Sequence, residues 1–248
     1  MDENITEQKT NETNETNELK NASINNNISI FESIKTNYLS WSFIIISIIA
    51  VSYPFVKAGL ITFFCMIFLA YFVHKFSHIN KNIFSILHHY HHENNNFFSH
   101  FSQILLELSL GIIIVPCYYI NNMYLGENYL DVWTAALFTL FYSTVHNFNY
   151  GQLRVNDVHY LHHKNMFTNI GPDICDIAFG TKHPDNTEVE NTNHYIPNIL
   201  FFSIIILFIK YLCNDTNIQT NILKLLGVMS ILSILFIVIS SIYLYQYY

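Results

Sequence analysis

Apolar residues in this chain gather into long runs, at 41–55, 60–73, 104–120, 196–212 and 225–245, with polar stretches between them. A run of ~18 or more apolar residues is a transmembrane candidate, because ~20 helical residues cross the hydrocarbon layer. The residues between the runs pair them into helical hairpins. The first covers 40–57 and 58–76, turning near Tyr53-Pro54 and Lys57-Ala58-Gly59. The second covers 103–120 and 129–147, joined by the polar turn 121–128, and the third covers 196–213 and 222–246. Two polar segments, 77–102 and 148–195, separate the hairpins and hold most of the histidines. A hairpin returns the chain to the side it left, so both His-rich segments are expected on one face. The predicted fold class is an all-α integral membrane protein, with transmembrane helical hairpins under a His-rich helical cap.

The N-terminal stretch reads differently. Residues 1–38 are rich in Asn, Glu and Thr and lack an apolar core. Such a segment buries too little apolar surface to offset chain entropy, which predicts a disordered tail. It also lacks the core of a signal peptide, so the first span is expected to target the chain. Residues 39–185 then form the principal domain, and 186–248 a linker with the C-terminal hairpin. The composition agrees with a membrane protein: 51% of residues are hydrophobic and only 12% charged.

Much of the net charge of −7 sits in the tail, at Asp2, Glu3, Glu7, Glu12, Glu15 and Glu18. No basic stripe interleaved with aromatics is present, which excludes a nucleic-acid-binding reading. Lys75, Lys81, Arg154, Lys164 and Lys182 fall on the His-rich side, against Lys57, Lys210 and Lys224 near the other. That majority places the His-rich face and the N-terminus in the cytosol. Cys65, Cys117, Cys175 and Cys213 are widely spaced, form no C-x-x-C pair, and read as reduced packing residues.

The chemistry lies in the 13 histidines. His74 and His78 are spaced i, i+4 and share one helix face. His88, His91 and His92 follow at i, i+3, i+4, and the same H-x2-H-H pattern returns at His159, His162 and His163. His146 ends a helix of the second hairpin. Imidazole suits zinc, copper, iron and nickel. The nitrogens of these rings exceed the four that close a structural zinc site, and suffice for two metals with positions left open. His89, His100, His183 and His194 fall outside the periodic sets. A metal centre beside a bilayer points to oxidation of C–H bonds in a lipid, with the protein orienting the substrate and excluding water.

Across about 60–182 the chain resembles the fatty acid hydroxylase/sterol desaturase superfamily of integral-membrane oxygenases. Its boxes match His74/His78, His88/His91/His92, His146 and His159/His162/His163 in order. The family's N-Y-G and W-D-x-x-F-G-T tail is echoed by Asn169-Ile170-Gly171 and Cys175-Asp176-Ile177-Ala178-Phe179-Gly180-Thr181. The resemblance implies a di-iron centre on those nine histidines, a site zinc also fits. It also implies an endoplasmic-reticulum-type membrane, and Asn169 and Asp176 as hydrogen-bond partners of the ligand rings; a turn and a helix cap are the other reading of those two.

The implied activity is O2-dependent hydroxylation or desaturation of a sterol, fatty acyl, sphingolipid or ether lipid. Electrons would come from an external reductase or cytochrome b5, because His183-Pro184-Asp185-Asn186 is not a haem motif and no dinucleotide-binding glycine pattern is present. The third motif, His146-Asn147-Phe148-Asn149-Tyr150, lacks the second histidine of the fatty acid hydroxylases, which favours sterol-modifying members. Cys175 stands where the family has Trp, and the stretch before Asp176 is about two residues short. The final hairpin is a feature shared with alkylglycerol monooxygenases. Two alternatives stay open: the acyl-chain desaturases, whose last box lacks the F-G-T tail, and a non-catalytic zinc-binding or transport protein. A transporter would place ionisable groups inside spans, where Glu107 and Asp131 are the main carboxylates.

Overall fold

The apolar runs fold as helices. In the computed structural model, residues 28–125, 129–213 and 216–247 are described, and among them there are helices and loops but no strand. Helices α1 (Ile30–Thr36) and α2 (Tyr38–Ser52) meet at a bend of 81°. They are followed by α3 (Val56–Ser77), α4 (Ile86–Glu93), α5 (Phe97–Leu125) and α6 (Val132–Thr144). A π-helical segment, Val145–Gln152, continues α6. The chain ends with α7 (Val158–Lys164), α8 (Asp173–Phe179), a 3-10 turn (Thr192–Tyr195), α9 (Ile196–Leu212) and α10 (Thr216–Tyr247).

Helices α2, α3, α6 and α9 pack together around Ile48, Val51, Phe63, Met66, Leu137, Phe138, Ile199 and Ile206, all buried. At Gly59 the helices come close: an added Cβ would lie 2.4 Å from the Cβ and Oγ of Ser52 and 3.1 Å from Thr134 Oγ1. Asp131 caps α6 by accepting from Thr134 N at 2.7 Å, while its own N–H donates to Thr62 Oγ1 at 2.8 Å. Lys210 of α9 donates to Val51 O at 2.6 Å and Tyr53 O at 3.2 Å, satisfying carbonyls at the end of α2. Helix α5 packs on α6, and α10 packs on α5 and α4, with Phe236 against Phe98 and Phe101.

Two of the expected hairpins are therefore packed pairs, α2/α3 and α5/α6. The arms of the third pack on different partners, α9 on α2 and α6, α10 on α5 and α4. Among the described residues, Val56–Ser77 and Thr192–Leu212 are long and apolar enough to cross a membrane, with mean hydropathies of 2.1 and 1.9. The bent pair α1/α2 makes a third if it counts as one span. Helix α6 has 13 residues, so at 1.5 Å per residue it reaches about 20 Å, short of the ~30 Å hydrocarbon layer.

The expected tail needs correction over its last residues. Ile30–Thr36 is helical, begun by Ser29 accepting from Glu32 N at 3.1 Å. Ser33 and Asn37 are buried, bonded to Asp173, to Glu190 O and to Thr192 N. These long-range polar bonds, invisible in the composition, tie the segment to α8 and the 3-10 turn. Residues 1–27 of the predicted tail lie outside the described residues.

Candidate metal centre

Four helical pieces deliver the histidines to one place. Helix α3 ends with His74 in its last turn and His78 at its C-cap, so the i, i+4 spacing sets both rings side by side, 4.9 Å between centroids. Helix α4 is a single amphipathic stretch that turns His88, His91 and His92 inward. The π-helical segment presents His146, and such wide turns recur at functional sites. Helix α7 supplies His159, His162 and His163.

The rings sort into two sets. His74, His78, His88, His92 and His162 place one nitrogen each within 4.8 Å of one another, and His91, His146 and His159 do the same. Within the first set His78 Nε2 and His92 Nε2 lie 3.0 and 3.2 Å from His88 Nε2, and His162 Nε2 lies 3.1 Å from His74 Nε2. In the second, His146 Nε2 is 3.1 Å from His159 Nδ1. His163, the ninth ring, lies between the sets, 4.2 Å from His92 and 4.4 Å from His159 between centroids, with its Nε2 buried and unpartnered. All nine expected ligands are thus brought together. His89, His100, His183 and His194 belong to neither set; His100 bonds Asn95 and His194 bonds Asn191 O.

These contacts fit a metal better than hydrogen bonds among rings. Gln103 spends its amide nitrogen on Glu107 Oε1 at 2.9 Å, so the atom facing His88 Nδ1 at 3.0 Å is the carbonyl oxygen, and His88 Nδ1 is the donor. His88 Nε2 then carries a single lone pair, which faces both His78 and His92 and cannot accept from both. His162 Nδ1 likewise donates to Thr168 O at 2.7 Å, which leaves a lone pair on Nε2. Two nitrogens each about 2.0–2.1 Å from a zinc-like ion and about 90–110° apart lie about 2.9–3.4 Å from each other. The observed separations of 3.0 to 3.2 Å fall inside that range. The buried, unpartnered His91 Nε2 in the second set needs a partner of the same kind.

Electrostatics favour the ligand form of the rings. Burial, with neighbouring rings adding to it, pushes His88 down to about 3 and His163 down to about 4. The same causes hold His91, His92, His159 and His162 well below the ordinary imidazole range. Neutral imidazoles at neutral pH are ready to bind a cation without first losing a proton.

Sequence reasoning missed the polar pair behind the rings. Glu107 of α5 accepts from His146 Nδ1 and from Asn147 Nδ2, as well as from Gln103. The available signal was Gln103-x3-Glu107 inside an apolar run, an i, i+4 pair on one face. Asn169 and Asp176 need correction in the other direction, since neither bonds a ring among the described hydrogen bonds. Asp176 accepts from Ile170 N, Gly171 N and Thr181 Oγ1, and Asn169 bonds Val158 O and His183 N with φ of 48°. Asn169 lies in the bend before α8 and Asp176 inside α8, whose caps are Pro172 and Gly180, and together they shape the loop that offers Thr168 O to His162.

A cavity of about 570 Å³ opens onto the three-ring set, lined by His91, His146, His159, His163, Asn147, Tyr150 and Arg154 among others. The same cavity reaches His92 of the five-ring set, and a smaller one of about 50 Å³ touches His74 and His162 together with His146 and His159. No family model, curated protein or solved structure matches this chain. Its chemistry has therefore to be read from its own residues.

Proposed function

We propose that this chain is a membrane-bound di-iron oxygenase that hydroxylates or desaturates a lipid, using O2 and electrons from an external donor. The observation that carries the reading is the pair of adjacent, largely buried histidine sets at the end of helices apolar enough to enter a bilayer. Two irons bound there would supply the activation of O2 and the oxidation of a C–H bond. The chain supplies everything around that step. Helices α3, α4 and α7 and the π-helical segment fix the rings, and burial keeps His88 and His162 unprotonated. The cavity before His91, His146 and His159 gives a co-substrate a way to the open side of the three-ring set. The apolar outer faces of α3 and α9, where Phe64, Phe68, Phe201 and Phe208 are exposed, suit contact with lipid chains.

The orientation follows the basic residues, which favour a cytosolic His-rich face; an endoplasmic-reticulum-type membrane is what the family resemblance implies. The electron donor is a separate reductase or cytochrome b5, consistent with a sequence that carries no haem or dinucleotide motif of its own. Lipid analysis of host membranes expressing wild type or His162→Ala, with a reductase supplied, tests the activity. A hydroxylated or desaturated sterol, ceramide, acyl chain or ether lipid found with wild type alone is the expected result. Identical lipids in both would refute the activity, and tightly held zinc in the same protein would assign the site to zinc binding instead.

A further inference from the structure

One polar pair sits behind both histidine sets and belongs to neither. Gln103 and Glu107 are 4% and 5% exposed, one turn apart on α5, so no bulk water shares their bonds. Gln103 Oε1 meets His88 Nδ1 at 3.0 Å, Gln103 Nε2 donates to Glu107 Oε1 at 2.9 Å, and Glu107 Oε1 also meets His146 Nδ1. Asn147 Nδ2 donates to the second oxygen, Glu107 Oε2, and to Ser143 O at 2.9 Å.

The donor directions are fixed by the inventory of atoms. A carboxylate has no proton to give, so Gln103, His146 and Asn147 must each donate to Glu107. With its nitrogen committed, Gln103 can only accept from His88. Both rings are therefore held with hydrogen on Nδ1 and the lone pair on Nε2. His88 Nε2 faces the five-ring set and His146 Nε2 the three-ring set. A carboxylate behind a ligand imidazole raises its basicity, and a neutral amide does so less.

We propose that Gln103 and Glu107 form one bridge of positioning residues that sets the tautomer of a ligand in each set, with the stronger effect on the His146 side. This rests on the metal-centre reading above. It adds that the two metal positions are linked through α5 and are unequal in ligand strength.

Metal binding read without turnover tests it. Purified protein in detergent is loaded with Co(II) or Zn(II) alone, and the affinity at each position is measured by chelator competition together with the Co(II) absorption bands. Glu107→Gln keeps the size of the side chain but removes the anion. It is expected to weaken one of two metals by about 10–100-fold and to shift its Co(II) bands. The weakened metal should be the one that His159→Ala loses. Glu107→Asp should restore part of the affinity, and Gln103→Met should weaken the metal that His74→Ala loses.

Unchanged affinities and bands in Glu107→Gln would overturn the bridge while leaving the two-metal centre standing. Wild type that holds fewer than two metals would remove the centre and the bridge together. If Glu107→Gln does not fold, Gln103→Met decides alone: wild-type affinity at both positions overturns the proposal.

Discussion

Between pH 4 and 6.5 the ring of His163 is neutral in the folded chain and protonated in an unfolded one, because burial holds it at about 4. His88, held at about 3, behaves the same way. The unfolded chain binds more protons across that window. The metal-free fold is thus most stable above about pH 6.5 and loses stability as pH falls. Glu190 works in the opposite sense. Burial pushes its carboxyl up to about 7, against bonds from Tyr150 and Asn156 that lower it, so its contribution is complete below 4.5 and lost as pH rises through about 7. Asp176, also raised by burial, acts in the same sense as Glu190, but these two carboxyls stand against several rings, and the rings decide the sign. Melting of the metal-free protein should move to lower temperature between about pH 7 and 5; movement to higher temperature would mean that the rings are charged in the fold. Which histidines matter was legible at this scale, because i, i+3 and i+4 spacing is a local property of a helix. The partners behind them were not: Glu107 meets a ring 39 positions away, and nothing in 103–107 alone says which helix will face it.

At the level of elements, the tightest constraint is the meeting of α2 and α3 at Gly59. A methyl group there collides with Ser52 and also comes within 3.1 Å of Thr134 Oγ1 on α6. Gly59→Ala should cost about 1–3 kcal/mol by overpacking, read as a lower unfolding midpoint in detergent, while the two metal affinities change little. A neutral substitution would show that the helices are looser than this contact requires. Hydropathy located most helices, since an apolar run bounded by turn residues has few other ways to satisfy its backbone. It did not foresee α1, whose burial depends on Ser33 and Asn37 finding Asp173, Glu190 and Thr192 far along the chain. Nor does it distinguish a regular α-helix from the π-helical segment at 145–152.

For the whole molecule, the arrangement follows from hairpins that return the chain to one end. The α2/α3 turn lies away from the histidines, and α4 and α7 close over the other end. On our proposal the chain resists carbonate extraction from membranes, and a protease added from the cytosolic side reaches a tag placed at residue 1. Release of the chain into the soluble fraction would contradict the membrane reading. The pairing of α9 and α10 was the part of the architecture least legible in the sequence, because hydropathy says that two runs are helical without saying which neighbours they choose.

The metal content of the detergent-purified chain tests the account at its centre. Wild type grown with iron, or reconstituted with it, should hold two ions per chain, and His88→Ala and His162→Ala should each lower that number while the protein remains folded. Fewer than one ion per chain, unchanged in both variants, would contradict the account.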